Sequence, residues 1–189
     1  MEIIETGLPG VLLIDPKVFG DNRGWFYEVY SRAAFTKAGI DTEFIQDNHS
    51  FSAQRFTLRG IHFQNDPTAQ AKLVRCTRGR ILDYAVDLRR GSPTYLRWVS
   101  AELSAENKRQ IFLPRGFGHA FVTLTEDCEV NYKVDNPYSP ADEHNIRYDD
   151  PTIGITWPEG MEPVLSGKDA AAPLLAESGC NFVYGEDKA

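Results

Sequence analysis

The sequence predicts an all-β domain built as a sandwich or barrel, and three observations carry that prediction. Short apolar and β-branched runs dominate the chain. Turn residues separate them at regular intervals, and helical patterns are brief. About ten such runs suit a closed or two-sheet β architecture, whose concave interior can hold a ligand.

The runs are Val11 to Ile14, Trp25 to Tyr30, Phe44 to Gln46, Thr57 to Gln64, Ala71 to Thr77 and Gly79 to Leu88. Thr94 to Leu103, Gln110 to Leu113, His119 to Thr125 and Glu129 to Val134 complete the set. Turn signals such as Asn65-Asp66-Pro67, Arg90-Gly91-Ser92-Pro93 and Pro114-Arg115-Gly116 stand between them. Ser31 to Ala38 reads as a short helix, with Ser31 as N-cap and Gly39 as stop. Ser104 to Asn107 carries a cap and an early acid, and the tail from Ala170 suits another short helix. Residues 135–168 are rich in Pro, Asp and Gly. Ile146, Tyr148, Ile153, Ile155 and Trp157 spread through them and mark an ordered excursion rather than a linker. No repeat divides the chain, so residues 1–189 read as one domain with a full core.

Bulk properties exclude several functions. The net charge of -7 and pI near 5.1 argue against nucleic-acid binding, which needs a basic face. No apolar run approaches the roughly 20 residues of a membrane helix, and Met1 to Pro9 lacks the basic start of a signal peptide. The expected location is the cytoplasm, with no membrane partner. Cys76, Cys128 and Cys180 are scattered and form no C-x-x-C, so they read as idle thiols. No P-loop or dinucleotide fingerprint is present. A cupin-type metal site wants two histidines spaced H-x-H. The corresponding strand here reads His62-Phe63-Gln64, which leaves one nitrogen ligand and predicts no metal.

Candidate chemistry gathers in a few segments. Leu58-Arg59-Gly60-Ile61-His62-Phe63-Gln64 sets polar groups inside an apolar strand, which fits either a lined cavity or the solvent side of an edge strand. Strict alternation puts Arg59 and His62 on opposite faces, unless Gly60 marks a bulge that re-aims one of them. After the turn at Asn65 to Thr68 the chain can fold back and set Lys72 near His62, although a strand lysine is usually a solvated edge charge. His119 follows a Pro-Arg-Gly turn, and Tyr132 sits in a strand where tyrosine is usually core filler.

Taken in order, these segments resemble the dTDP-4-dehydrorhamnose 3,5-epimerase family over nearly the whole chain. The matching stretches are Pro16 to Gly24, Phe44 to Ser50, Leu58 to Gln64, Lys72 to Arg75, Leu103 to Gln110, Pro114 to Phe121, Asn131 to Lys133 and Leu165 to Asp169. Each is weak alone; together, at these spacings, they are specific. The resemblance implies a jelly-roll (cupin-like) fold, a homodimer, no metal and no organic cofactor. It implies a dTDP-4-keto-6-deoxyhexose as substrate, inverted at C3 and C5. His62 matches the family's general base, oriented by Asp169. Lys72 matches the group that stabilises the enolate oxygen, and Tyr132 the acid on the opposite face of the sugar. Arg23, Glu28, Gln46, Asp47, Asn48, Arg59, His119, Glu143 and Lys168 match positions that bind sugar, diphosphate or nucleoside. Phe26 and Tyr138 match aromatic positions beside base or sugar. Ala71 and Ala120 depart from the family pattern, each replacing glycine, and Tyr95-Leu96-Arg97-Trp98 departs in a third place. Alternatives are a relative acting at C3 or C5 alone, a non-catalytic carbohydrate-binding jelly roll, and a metal-dependent cupin oxygenase.

Overall fold

The computed structural model describes residues 1–185. Thirteen strands, two short α-helices and one 3-10 turn at Leu175–Glu177 in the tail are present among them. The strands are β1 (Glu2–Glu5), β2 (Leu12–Asp15), β3 (Phe19–Asp21), β4 (Gly24–Phe26), β5 (Gln46–Ser52), β6 (Leu58–Gln64) and β7 (Lys72–Arg78). They continue as β8 (Arg80–Asp87), β9 (Trp98–Ser104), β10 (Gln110–Leu113), β11 (Phe117–Thr123), β12 (Cys128–Val134) and β13 (Glu143–Asn145). The helices are α1 (Arg32–Lys37) and α2 (Gly167–Ala170).

Two antiparallel sheets form the jelly roll. One has the order β1-β2-β10-β7-β12-β5, the other β13-β6-β11-β8-β9. Period-two alternation assigns each strand's side chains to two faces. Val74 and Cys76, Ile111 and Leu113, Val130, Ile81 and Ala85, Phe117 and Phe121 fill the space between the sheets. The opposite face of the five-stranded sheet, with Leu58, Ile61, Phe63, Tyr84, Val86 and Val122, packs under residues 146–182. Ile146, Tyr148, Ile153, Ile155 and Trp157 all join that layer, so the excursion is a roof over the sheet. Leu73, Phe112 and Ile14 on the outer face of the other sheet are covered by Phe35 of α1, Ile40 and Phe44.

Several expected boundaries moved. Ser31 caps α1 as the sequence predicts, accepting from the Ala34 N–H. Ser104 to Asn107 is a turn instead of a helix: Ser104 and Asn107 exchange side-chain-to-backbone hydrogen bonds of 3.0 Å, which close a loop without propagating one. Phe44 to Gln46 was expected as a strand; the strand begins at Gln46 and runs to Ser52. Pairing with β12 imposes the extended form on Asp47-Asn48-His49-Ser50, whose polar character reads locally as loop. Trp25 to Tyr30 leaves its strand after Phe26, and residues 93–96 form a turn ahead of β9, where Ser92 and Thr94 bond the buried Asp87.

Gly60 decides which side chains of β6 look inward. It takes φ 129, and β11 shifts register opposite it, between His119 and Phe121. Leu58, Ile61 and Phe63 therefore share the outer layer, and Arg59 and His62 are left on the inner face together. The bulge alternative is the one the chain adopts. A Cβ at residue 60 would lie 2.4 Å from Ala120 Cβ. Gly60→Ala is expected to cost roughly 2 kcal/mol or more and to scramble the inner face. Urea unfolding of the purified variant checks this.

Candidate active site

At one end of the space between the sheets, polar side chains replace the apolar filling. β6 supplies Arg59 and His62, β8 supplies Asp83, and β11 supplies His119 on the same face as Phe117 and Phe121. Across from them, β7 supplies Lys72 on the face of Val74, and β12 supplies Tyr132 on the face of Val130. His62 and Tyr132 thus stand on opposite walls. Glu143 of β13 and Lys168 and Asp169 of α2 close the rim, with Asn145 of β13 paired to His62.

His62 Nε2 lies 2.5 Å from Asp169 Oδ1. An ionised carboxylate only accepts, so Nε2 carries the hydrogen and Nδ1 keeps the lone pair that can take a proton. Asp169 is itself held. Ser166, the N-cap of α2, donates to its Oδ2 at 2.8 Å and accepts from its backbone N–H at 3.1 Å. Burial pushes the Asp169 pKa up, but the hydrogen bonds from His62 and Ser166 outweigh it and bring the carboxyl below its ordinary value. The His62–Asp169 pair is therefore held in a fixed orientation by Ser166.

Lys72 lies 5.9 Å from the Tyr132 ring centre. Burial of its ammonium is the main cause that brings its pKa down to about 8, opposed by the charges of Asp83 and Glu143 and assisted by Lys168. Burial also raises the Tyr132 pKa, so the phenol holds its proton throughout the neutral range. Glu143 bonds Lys168 at 2.5 Å and accepts from the Tyr138 hydroxyl at 2.6 Å. Arg59 donates to Phe51 O at 3.0 Å and Ser52 Oγ at 3.3 Å, beside Tyr132.

Of the residues expected at the site, His62, Asp169, Lys72, Tyr132, Arg59, His119, Glu143 and Lys168 converge, and Tyr138 joins them through Glu143. Gln46 and Asn48 share the inner face with Tyr132, since Asn48 pairs directly with it. Asp47 alternates to the outer face and binds Lys133 at 2.7 Å. Arg23 and Phe26 sit on the β3–β4 hairpin, where Arg23 pairs with Asp21 and Phe26 is 70% exposed. Glu28 follows in an exposed segment. Asp83 and Ser166 were not foreseen as site residues. The signal for Asp83 is an acid in the apolar strand Ile81 to Val86, on the face shared by Ile81 and Ala85. Among the described residues no group of three or more His, Cys, Asp or Glu is arranged to hold a metal ion. Among the described residues no helix is long and apolar enough to cross a membrane.

Fold and site together define a cupin-like jelly-roll protein whose inter-sheet cavity is lined by paired ionisable side chains. The model of the dTDP-4-dehydrorhamnose 3,5-epimerase family matches residues 5–177. The dTDP-4-dehydrorhamnose 3,5-epimerase of Salmonella typhimurium is 52% identical over 179 residues, 94% of this chain and 97% of that one. A solved structure of the dTDP-6-deoxy-D-glucose-3,5-epimerase of Legionella pneumophila, in complex with dTDP-4-keto-L-rhamnose, superposes with a TM-score of 0.89. It is 44% identical and covers 93% of each chain. A 3'-monoepimerase from Streptomyces bikiniensis, in complex with dTDP-quinovose, gives a TM-score of 0.85 at 40% identity, covering 90% of this chain and 86% of that one. The chain belongs to the dTDP-4-dehydrorhamnose 3,5-epimerase family.

Proposed function

We propose that this protein converts dTDP-4-dehydro-6-deoxy-D-glucose to dTDP-4-dehydro-L-rhamnose, by removing and returning protons at C3 and C5. The carrying observation is the placement of a carboxylate-oriented base, His62, and a protonated phenol, Tyr132, on opposite walls of one cavity. A 4-ketone acidifies the hydrogens on both neighbouring carbons, because either carbanion delocalises onto the same oxygen. One base and one opposed acid then serve both positions in turn. His62 Nδ1 takes the proton, Lys72 stabilises the enolate oxygen with charge placed where charge develops, and Tyr132 donates to the other face. Arg59, His119, Glu143 and Lys168, with Gln46 and Asn48, hold the sugar, diphosphate and nucleoside, and Tyr138 lies against base or sugar. Guanidinium groups suit the diphosphate oxygens.

Arg23, Phe26 and Glu28 lie on an exposed arm in the single chain, and Trp25 beside them is 61% exposed. A homodimer in which this arm reaches the partner's cavity reconciles their binding roles with their position, and it covers the exposed aromatic rings. Asp47 contributes through Lys133 and the β5–β12 pairing rather than by direct contact. The whole chain acts as one domain, in the cytoplasm, without metal or organic cofactor.

Likeness to a 3'-monoepimerase supports a second reading, inversion at C3 alone. Borohydride reduction of the product separates the two: 6-deoxy-L-mannose and 6-deoxy-L-talose report double inversion, and any other pair of 6-deoxyhexoses contradicts it. The activity should fall as pH rises past about 8. Lys72 must be an ammonium to stabilise the oxyanion, and it loses that proton with a pKa brought down to about 8. A pH profile of kcat that stays flat to pH 10 would remove Lys72 from this role.

A further inference from the structure

Asp83 is 0% exposed, and its Oδ1 is the one buried side-chain polar atom without a hydrogen-bond partner among the described residues. The other oxygen, Oδ2, accepts from His119 Nε2 at 2.8 Å. A carboxylate placed only to support the fold is expected to be fully bonded, because a buried unpaired acceptor costs free energy. Asp83 instead keeps half of its bonding capacity open on the inner face of β8, the face that fronts the cavity.

The charges around Lys72 show what that open carboxylate acts on. The charges of Asp83 of β8, Glu143 of β13 and Lys168 of α2 act on the Lys72 ammonium, and the uncharged Tyr132 ring of β12 lies beside it. The field of Glu143 at Lys72 is opposed by that of Lys168, to which Glu143 is tied at 2.5 Å. Asp83 faces His119 of β11 and Lys72 of β7, and the attraction is mutual: Lys72 lowers the Asp83 pKa while burial raises it. A lysine moved into a dry cavity tends to shed its proton, and a neutral amine cannot stabilise an enolate.

We infer that Asp83, braced by His119, is a positioning residue that keeps Lys72 in its ammonium form. The inference rests on the proposed role of Lys72 at the enolate oxygen. It also gives His119 a second task, since the imidazole holds the carboxylate that holds the lysine.

Asp83→Asn removes the charge and preserves the shape. Steady-state kinetics on dTDP-4-keto-6-deoxyglucose, with NMR titration of isotope-labelled lysine, tests it; the Lys72 signal is assigned by its loss in Lys72→Met. At neutral pH kcat is expected to fall roughly twofold, and above pH 9 roughly tenfold, with KM changed less than about threefold. The alkaline limb of the kcat profile and the Lys72 titration should both move to lower pH by about one unit. A folded Asp83→Asn enzyme with an unmoved Lys72 titration and full kcat overturns the inference. If the wild-type protein does not epimerise the sugar at all, the functional reading fails, while the Lys72 titration still decides for or against Asp83. Should Asp83→Asn not fold, the reciprocal measurement serves: in Lys72→Met the Asp83 carboxyl should titrate at higher pH than in the wild type, and an unchanged value overturns the coupling.

Discussion

His62→Ala is expected to lower turnover of dTDP-4-keto-6-deoxyglucose by roughly 10³-fold or more, with nucleotide binding and thermal stability retained. The expectation follows from the geometry of one pair. Asp169 Oδ1, 2.5 Å from Nε2, fixes the hydrogen on that nitrogen and leaves Nδ1 as the only basic nitrogen of the ring. His119 is also bonded to a carboxylate through Nε2, but its side chain is 9% exposed against 29% for His62, and Lys72 is needed as a cation. Both proton removals, at C3 and at C5, should fail together, because a single base serves them. Isothermal titration with dTDP would show that the site still binds. A His62→Ala enzyme retaining more than about a tenth of its rate would assign the base elsewhere.

Tyr132→Phe is expected to slow inversion roughly 100-fold while leaving proton removal largely intact. The phenol stands on the wall opposite His62, and burial keeps it protonated, so it is placed to complete inversion and not to start it. In deuterated water the variant should wash out the C3 and C5 hydrogens with configuration retained, since His62 can return a deuteron to the face it served. Exchange and inversion are then uncoupled. Equal loss of both would instead make Tyr132 a binding group.

Much of this was legible in the chain. The apolar runs and turn signals place the sandwich, and the dispersed Ile146, Ile153, Ile155 and Trp157 announce a packed roof. The proposed site residues rest mainly on family resemblance, since a lone His62 or Lys72 in a strand has several readings. What stayed hidden depends on pairing and close approach. Whether Arg59 and His62 share a face turns on Gly60, whose φ 129 and proximity to Ala120 arise only when β6 meets β11. Ala120, a departure from the family glycine, is tolerated because residue 60 carries no side chain to meet it. The full length of β5 is not legible locally, because its polar residues extend only in partnership with β12. Asp83 carries no local signal of its surroundings, because the groups it faces, Lys72 and His119, come from other strands. Asp47 shows the converse: its matching motif position says nothing of the face on which alternation leaves it.

Proton NMR of dTDP-4-keto-6-deoxyglucose incubated with the wild-type protein in deuterated water tests the central claim most directly. Deuterium at both C3 and C5, with both centres inverted, is the predicted result; deuterium at neither carbon would contradict it.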